Sequence, residues 1–546
     1  MPAQHMRTGG QIIVDHLVGE DVRHLFMVPG ESFLGLLDAV HSESRLRPVT
    51  ARHESAAAMM AEATGKLTGK PGVAVVTRGP GAANALAGVY IAAQDQTPMV
   101  LLVGLPPRSR LQLPAFQQID LVKLFGGMAK NVAIADSAST LTEQLTFAFR
   151  LAVSGRPGPV VVGLPEDILA EMGPATEAHF RAPVHRAVAE QDIQALQDCV
   201  SRARRPLIIV GSPMWSQAAS EALARFADTF GLPVATSFRR QDRFDNSNDS
   251  YVGHLGFVPH TPLAEAVSHA DVVIALGACL DDITTRGFTL VPPQADGRTL
   301  VLVSPDAGDP RSCPPYAPDL AIAACPMEVV HTLAGLPPPR SLPWRDWRRA
   351  MRSAYELSLA GDAIGGRLQN NTVPMGEIAT HLTHRLSVDT IICNGAGHYA
   401  ASLQRYYVYR HYPSQLAPLS GSMGYGLPAA IAAKLAFPDR EVVAVAGDGC
   451  FQMTGAELAT AVQLELPITV IVANNNTLGS IQFAQLQSDP ARVIATTLIN
   501  PNFASQAAAA GARGFCVNSM GAFADALEQA LRFKGPTVIE VATTQN

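Results

Sequence analysis

The chain has 546 residues, 47% of them hydrophobic and 16% charged, with a formal net charge of −6 at pH 7. It is too long for a single hydrophobic core and long enough for about three domains. The small net charge gives no reason to expect nucleic acid or an anionic membrane as a partner, and no run of about eighteen apolar residues could cross a bilayer.

The cysteines and the start of the sequence bear on the compartment. Seven cysteines are scattered without a CxxC pair, which is typical of reduced thiols and not of a disulfide framework or a zinc site. The first residues lack the apolar core of a signal peptide. We therefore expect a cytoplasmic protein.

The first third of the chain alternates short apolar runs with helical patterns. A helix is predicted at residues 10–19, and a turn around Gly30 follows a predicted strand at 24–28. Further strands are predicted at 46–51, 73–77, 99–104 and 160–164. Strands that alternate with helices predict an α/β domain with a mainly parallel sheet and helices on both faces.

A glycine-rich stretch, Gly79-Pro80-Gly81, comes directly after one of these strands. Such a stretch could hold a phosphate, but it matches neither nucleotide-binding fingerprint. We interpret it as a tight turn between a strand and a helix.

The middle third repeats the α/β pattern. Strands are predicted at 206–210, 232–236, 271–276 and 299–304. Because no GxGxxG motif follows any of them, a dinucleotide site has no support. We interpret the carboxylate pair Asp281-Asp282 as a solvated turn. Linkers are predicted at 172–189 and 335–342, and they separate domains at 1–170, 190–335 and 345–546.

The last third carries the strongest chemical signal. Residues 441–446 form a valine-rich predicted strand that ends at a Gly-Asp-Gly turn centred on Asp448. A helix is predicted directly after the turn, with Thr454 and Glu457 as a capping box. Residues 468–473 are a second β-branched run, typical of a buried parallel strand, and end at three consecutive asparagines.

Asp448 and Asn475, the middle one of the three asparagines, follow the two predicted strands. Parallel strands joined by one helix bring their carboxyl ends side by side, so these two residues are expected to meet. One carboxylate, one amide oxygen and nearby carbonyls are hard ligands that suit Mg²⁺ carrying a diphosphate. The alternative is an ordinary βαβ unit in which both are turn residues.

The stretch GDGCFQMTGAELAT, followed by NNNTLG, resembles the signature of thiamine-diphosphate enzymes and looks most like the acetohydroxyacid synthase branch. The resemblance covers essentially the whole chain and implies thiamine diphosphate and Mg²⁺ as cofactors. It implies three metal ligands, which are Asp448, the Asn475 side chain and the Thr477 carbonyl. The diphosphate would lie against Gly447, Gly449, Cys450 and Gly479.

Glu54 stands between the strand predicted at 46–51 and a helix predicted to begin near Ser55. By itself it could be a first-turn charge favoured by the helix dipole. The run RHESAAAMMAEATGKLTGKPGVAVVTRGPGAANAL, however, resembles the pyrimidine-binding domain of the same enzymes. The resemblance implies that Glu54 hydrogen-bonds a nitrogen of the aminopyrimidine and drives the proton exchange that activates the cofactor. Gly30 is expected in the same catalytic group.

Two further stretches are assigned by the resemblance. Gly397 and His398 lie where family members contact the diphosphate, although His398 could equally be a structural histidine. Gly421 and Met423 lie where the family grips the pyrimidine, and Met423 would support the cofactor in a bent shape. A core methionine is the alternative.

The substrate side is assigned in the same way. Phe116 and Gln117 match a loop beside the substrate, and a plain surface loop is the alternative. Ser480 and Ala484 stand where acetohydroxyacid synthases have a methionine and a tryptophan, which indicates an opened pocket unless Phe483 or Gln487 fills it. We expect decarboxylation of a 2-oxo acid and carboligation to an aldehyde or ketone acceptor, with a simple 2-oxo-acid decarboxylase or carbon–carbon lyase as the alternative.

The resemblance also bears on FAD binding and on the oligomeric state. The family's middle domain carries FAD, but residues 237–251 do not resemble that flavin region, so FAD is possible but unsupported. Because Glu54 and Met423 lie on different domains yet would grip one ring, the resemblance implies a homodimer or a dimer of dimers. A non-catalytic homologue and a nicotinamide oxidoreductase are the remaining alternatives; Glu54 with Asp448 speaks against the first and the missing GxGxxG against the second.

Overall fold

A computed structural model describes residues 6–174, 187–257, 260–293, 297–307, 316–339, 341–361 and 372–543. These residues form three six-stranded parallel sheets, one in each third of the chain, with helices on their faces. The predicted α/β class with three mainly parallel sheets is therefore confirmed. No helix in these ranges is long and apolar enough to cross a membrane.

The first sheet has the strand order β3-β2-β4-β5-β7-β6. The elements of this part are β1 (Met6–Thr8), α1 (Gly9–Gly19), β2 (His24–Met27), α2 (Leu34–His41), β3 (Arg47–Thr50), α3 (Glu54–Thr68), β4 (Gly72–Val76), α4 (Gly79–Asp95), β5 (Met99–Leu105), α5 (Leu121–Phe125), β6 (Asn131–Ile134), α6 (Leu141–Val153), β7 (Pro159–Pro165), α7 (Glu166–Ala170) and β8 (Met172–Pro174). Strands β4, β5 and β7 are buried throughout, as expected of continuous apolar runs covered on both faces.

The region predicted as the first linker, 172–189, begins with ordered structure. Strand β8 pairs antiparallel with β1, so the end of the first unit is tied to its beginning. The predicted linker therefore begins with a strand of three residues, which is too short to show a periodicity of its own. Residues 175–186 lie outside the described residues.

The middle sheet has the strand order β11-β10-β9-β12-β13-β14. Its elements are α8 (Glu190–Arg202), β9 (Pro206–Val210), α9 (Gln217–Phe230), β10 (Val234–Thr236), β11 (Tyr251–His254), α10 (Thr261–His269), β12 (Val272–Leu276), β13 (Thr299–Ser304), β14 (Leu320–Ala323), α11 (Pro326–Leu333) and α12 (Arg345–Gly361). Helix α12 packs on α10 and β11, and Trp344 Nε1 before it donates to the Phe230 carbonyl at 2.9 Å. The domain boundary at 345 stays a prediction; by its contacts, α12 lies on the middle sheet.

The turn at Asp281-Asp282 follows the middle sheet's β12. Asp282 is exposed, but Asp281 is half-buried, and its Oδ1 accepts the N–H of Thr284 at 2.7 Å. Burial raises the pKa of the Asp281 carboxyl. The predicted turn is present, and only one of its two carboxylates is solvated.

The third sheet has the strand order β16-β15-β17-β18-β20-β19. Its elements are α13 (Met375–Arg385), β15 (Ile391–Asn394), α14 (His398–Tyr406), β16 (Gln415–Leu416), α15 (Gly426–Ala436), β17 (Val442–Gly447), α16 (Asp448–Gln452), α17 (Leu458–Gln463), β18 (Thr469–Asn474), α18 (Gly479–Ser488), α19 (Phe503–Ala509), β19 (Arg513–Val517), α20 (Met520–Arg532) and β20 (Thr537–Ala542). All neighbouring strands in this sheet run parallel.

The crossover after the Gly-Asp-Gly turn is broken into α16, a short 3₁₀ turn and α17, where one helix was predicted. The predicted capping box is wrong. Thr454 Oγ1 donates to the Gly424 carbonyl at 2.6 Å, and Glu457 Oε1 accepts the N–H groups of Arg52 and His53 at 2.9 and 3.0 Å. Both side chains therefore bind segments distant in sequence, which no local spacing could indicate.

The first and third sheets share one hydrophobic core. Alanine-rich α3 packs against both α4 and α15, so small side chains allow the helices to approach closely. The buried Tyr425 hydroxyl, just before α15, donates to Glu62 Oε2 on α3 at 2.5 Å. Polar and apolar contacts together fix one domain on the other.

Candidate active site

The carboxyl ends of β17 and β18 lie side by side. Gly447 pairs with Ala473 in the parallel register, so Asp448 and Asn475 follow neighbouring positions. The βαβ geometry predicted from sequence therefore brings both residues to one edge of the third sheet.

Asp448 begins α16 and is 2% exposed. Its Oδ1 accepts the N–H of Gly449 at 2.8 Å, and its Oδ2 accepts an N–H from Asn500 at 2.7 Å. Burial raises the pKa of Asp448, and the hydrogen bonds oppose that rise because they favour the charged form. The carboxylate is held in one orientation by two donors.

Asn500 is a site residue that the sequence did not indicate. Its amide also donates to Asn474 Oδ1 at 3.0 Å and to Asn476 Oδ1 at 3.3 Å. One side chain thus ties the Gly-Asp-Gly turn to the asparagines after β18. The only local signal is an Asn-Pro pair, which reads as a turn.

Asn475, Thr477 and Gly479 form the other side of this edge. Asn475 Oδ1 accepts the N–H of Thr477 at 3.0 Å. Thr477 is 4% exposed, and its buried Oγ1 has no hydrogen-bond partner within the protein. A Cβ added to Gly479 would lie 3.3 Å from Asn475 Nδ2, so glycine leaves room above these groups.

The residues present fit a hard cation with an anionic ligand. A buried carboxylate, an amide oxygen and an unpartnered hydroxyl oxygen converge on one sheet edge. Such oxygens suit Mg²⁺, which usually keeps ligand phosphates and water for its other positions.

Cys450 contributes only its backbone to this edge. Its thiol points inward, where Sγ accepts the N–H of Gly424 at 3.2 Å and the Tyr399 hydroxyl at 3.5 Å. A Cβ on Gly395 would lie 2.5 Å from this sulfur, and one on Gly447 would lie 2.9 Å from Tyr399 Cδ1. The glycines are therefore required by close packing behind the turn.

Met423 lies in a turn between two glycines with positive φ, Gly421 at 68° and Gly424 at 83°. The Met423 side chain is half-buried, and its Cε would lie 3.7 Å from a Cβ added to Gly449. Thr454 holds the same turn through the Gly424 carbonyl. Met423 thus lies next to the Gly-Asp-Gly turn.

His398 and the predicted substrate residues lie on the open side of this edge. Gly397, with φ of 147°, precedes His398, whose ring contacts Phe483 edge to face at 5.8 Å. Burial lowers the pKa of His398. Ser480, Phe483 and Ala484 all lie on α18, every residue of which is at least partly exposed.

Glu54 begins α3, one residue earlier than predicted. Its Oε2 accepts an N–H from Asn84 at 2.9 Å, and a Cβ on Gly81 would lie 3.4 Å from its Oε1. Asn84 was not indicated by the sequence, since it stands on a regular helix. The Gly79-Pro80-Gly81 stretch begins α4 and is the strand-to-helix turn that we predicted.

Gly30 and Gln117 pack on this same turn. A Cβ on Gly30 would lie 2.6 Å from the Thr77 Cβ, and one on Gly79 would lie 2.7 Å from the Gln117 carbonyl. Gln117 has φ of 57°, and the neighbouring Phe116 is 76% exposed. The structure therefore groups Gly30, Gln117 and Glu54, and leaves Phe116 on the surface of the single chain.

The predicted residues thus form two groups. Within the described residues, Glu54 hydrogen-bonds to Asn84, whereas Asp448 hydrogen-bonds to Gly449 and Asn500. The hydrogen bonds of each group stay within its own domain. A ligand that needs both must lie between two such surfaces.

A cavity of about 280 Å³ lies at the carboxyl edge of the middle sheet and reaches the first domain at Gln96 and Arg156. Arg156 is the one charged side chain among its described lining residues, and it pairs with Asp306 at 3.2 Å. The cavity is near the lower limit of ligand pockets, roughly 300 Å³. Its apolar lining offers little to a dinucleotide diphosphate, so FAD gains no support.

Three family models match this arrangement. They are the N-terminal thiamine pyrophosphate binding domain at residues 7–124, the central domain at 193–333 and the C-terminal thiamine pyrophosphate binding domain at 395–541. Together with the site geometry, they define a thiamine-diphosphate-binding enzyme fold.

Relatives narrow this class. The acetolactate synthase isozyme 3 large subunit of Escherichia coli is 30% identical over 87% of this chain and 84% of its own length. The mitochondrial acetolactate synthase catalytic subunit of Saccharomyces cerevisiae is 29% identical over 98% of this chain and 80% of its own. The chain belongs to the thiamine-pyrophosphate-dependent enzymes related to acetolactate synthase. The predicted reaction class, decarboxylation with carboligation, is confirmed at this level.

A solved structure has the same fold. The thiamine diphosphate-dependent 4-hydroxybenzoylformate decarboxylase of Rhodococcus jostii RHA1 superposes with a TM-score of 0.84 at 23% identity, covering 98% of this chain and 99% of that one.

Asn500→Ala is expected to weaken Mg²⁺ binding roughly 10- to 100-fold, because Asp448 loses the donor that orients its Oδ2. Titration of Mg²⁺ at saturating thiamine diphosphate measures this. Asn502→Ala is the matched control, since Asn502 caps α19 through the Ser505 N–H and has no part in the site. Equal Mg²⁺ affinities in the two variants would remove Asn500 from the site.

Proposed function

We propose that the chain binds Mg²⁺ and thiamine diphosphate between two subunits and uses them to decarboxylate a 2-oxo acid and ligate the product to a carbonyl acceptor. The observation that carries this proposal is that Asp448, Asn475 and Thr477 lie together at one sheet edge, where the buried Thr477 hydroxyl also has no hydrogen-bond partner within the protein. A cytoplasmic location of the protein is part of the same proposal.

Mg²⁺ would be held by Asp448, the Asn475 side chain and the Thr477 carbonyl. Gly449 and Gly479 would let the diphosphate approach the backbone, because any side chain there would contact Leu478 or Asn475. Backbone N–H groups at the start of α16 and α18 add favourable dipole ends, although both helices are short.

Bound thiamine diphosphate supplies a nucleophilic carbon and an electron sink for the loss of CO₂. Glu54 would hold and return a proton at the pyrimidine nitrogen, with Asn84 orienting its Oε2. Met423 would support the bent cofactor from below, because the glycines on both sides let the backbone come close to a ring. His398 would stay neutral near pH 7, since burial lowers its pKa, and could donate or accept a proton beside the substrate.

A second subunit is proposed because both domains that carry the candidate site residues expose apolar side chains. Met453, Ile481 and Ile499 on the third domain are 62%, 56% and 100% exposed, and Leu34 and Phe116 on the first are 60% and 76% exposed. Apolar surface next to an incomplete polar site is typical of a surface that another protein covers. A two-fold dimer would place Glu54 of one chain against Asp448 of the other, twice.

Glu54→Gln is expected to slow exchange of the cofactor's reactive C–H roughly 10²- to 10⁴-fold, because the amide accepts hydrogen bonds but cannot return a proton. The rate is measured by NMR after mixing with D₂O, and bound cofactor is measured after denaturation. Glu143→Gln is the control, since Glu143 is an exposed glutamate in the first turn of another helix, α6.

The expected result is normal cofactor content with slow exchange in Glu54→Gln only. Exchange at the wild-type rate in that variant would contradict the role of Glu54. Loss of cofactor from the Glu54→Gln variant would indicate that Glu54 binds the cofactor and does not act by proton transfer.

The proposed substrate range is argued from the side chains on α18. Ser480 and Ala484 are small or polar and lie on an exposed face, so an acceptor larger than pyruvate has room beside Phe483. The acetolactate synthase relatives support carboligation as the outcome, whereas a plain decarboxylase would release aldehyde.

Ala484→Trp is expected to narrow the acceptor range without abolishing decarboxylation, because an indole would occupy the open face. A panel of 2-oxo acids with and without aldehyde and ketone acceptors is scored for 2-hydroxyketone against free aldehyde. Gln482→Trp is the control, since position 482 lies about 160° around the helix from position 484. An unchanged acceptor range in Ala484→Trp would contradict the open face, and aldehyde as the sole wild-type product would contradict carboligation.

A further inference from the structure

The segment that carries Met423 is held by buried charges of the other two domains. This segment, residues 417–425, connects β16 to α15 and will be called the Met423 segment. None of its residues belongs to a helix or strand, and Gly421 and Gly424 have positive φ angles. Thr454 and Cys450 of the same domain bind Gly424 near its end, so the position of its first residues depends on what the other two domains bind.

The first domain binds the beginning of the segment. Lys66 Nζ on α3 donates to the Ala417 carbonyl at 3.2 Å, and Asp95 Oδ1 at the end of α4 accepts the N–H of Leu419 at 2.7 Å. Lys66 and Asp95 also form an ion pair with each other, at 6% and 0% exposure. Two opposite charges thus hold two backbone groups of opposite polarity.

The middle domain binds the residue between them. Arg239, which follows β10, donates from its guanidinium to the Pro418 carbonyl, and the adjacent Arg240 donates to the Asp95 carbonyl at 2.8 Å. Both arginines are almost fully buried. Three consecutive residues of the Met423 segment are therefore held by charged side chains from two other domains.

The first domain also binds the last residue of the Met423 segment. Tyr425 donates to Glu62, which is completely buried and also accepts the Thr97 hydroxyl at 2.7 Å. Lys66 Nζ lies 3.4 Å from Glu62 and 5.4 Å from the Tyr425 ring centroid. The same buried cluster thus reaches both ends of the segment.

Buried charged side chains of this kind restrict the backbone of the Met423 segment to one conformation. Buried charges are tolerated only where partners satisfy them, and hydrogen bonds that involve a charged group are stronger than neutral ones. Arg239 also has φ of 55°, which a residue with a Cβ keeps only where its surroundings determine it. A movement of this backbone would remove a hydrogen-bond partner from a buried charged side chain.

We propose that Arg239, with Asp95 and Lys66, is a positioning residue for the cofactor: the middle domain holds the Met423 segment in the shape that thiamine diphosphate requires. This inference rests on the proposed role of Met423. It assigns a function to the arginine-rich segment of the middle domain, residues 237–243, which the reaction itself does not use.

The test compares Arg239→Met with Arg352→Met. Arg352 on α12 also donates to backbone carbonyls, those of Asn246, Asn248 and Tyr251, but none of them belongs to the Met423 segment. Amide hydrogen exchange of peptides covering 415–425 is measured in the protein without cofactor, and the affinity for thiamine diphosphate is measured by titration at saturating Mg²⁺.

Arg239→Met is expected to speed exchange in the Met423 segment about tenfold or more and to weaken cofactor binding by a similar factor, because a charged donor is lost. Arg352→Met is expected to leave both unchanged even if it lowers the melting temperature. If Arg239→Met does not fold, Arg239→Lys, which keeps the charge but shortens the donor, is measured in the same way and should change both quantities in the same direction.

Exchange and affinity within about twofold of wild type in the Arg239 variant would overturn the inference, as would equal effects from both arginines. A wild-type protein that fails to bind thiamine diphosphate would instead overturn the proposed function. The exchange result would still show whether Arg239 holds the segment.

Discussion

The contact on which the rest of the structure depends is the polar clasp between the first and third domains. Glu457, on the crossover that follows Asp448, accepts the N–H groups of Arg52 and His53, the two residues directly before Glu54. It is 1% exposed, and burial raises its pKa, while the hydrogen bonds it accepts oppose that rise. The helix that begins at Glu54 is therefore positioned by the domain that would bind the diphosphate.

The first and third domains carry the two groups of candidate site residues, and this contact helps to fix one domain on the other. The backbone N–H groups before Glu54 donate to Glu457. Helix α3 is joined to the start of α15 by the hydrogen bond from Tyr425 to Glu62. The Glu54 carboxylate itself faces Asn84, and the Asp448 carboxylate faces Asn500. In the proposed dimer, each of two sites would combine the Glu54 group of one chain with the Asp448 group of the other.

The sequence predicted most of the fold because buried parallel strands are continuous β-branched runs, and it located Asp448 and Asn475 because one crossover joins their strands. It could not locate Asn500, Asn84 or Arg239, whose partners are distant in the chain. The capping box failed for the same reason: Thr454 and Glu457 have the spacing, but stronger partners across the fold take their side chains. Local patterns reveal strands and turns, whereas tertiary hydrogen bonds decide which polar residues serve a site.

The most direct test of this account is complementation between two inactive variants. Glu54→Gln and Asp448→Ala chains with different affinity tags are co-expressed, and mixed dimers are isolated by two successive tag purifications. Each mixed dimer would combine both defects in one site and leave the other intact, so about half of the wild-type activity per dimer is predicted, with almost none in either variant alone. Inactive mixed dimers beside an active wild type would contradict a site shared between chains, and the same holds for a fully active wild-type monomer.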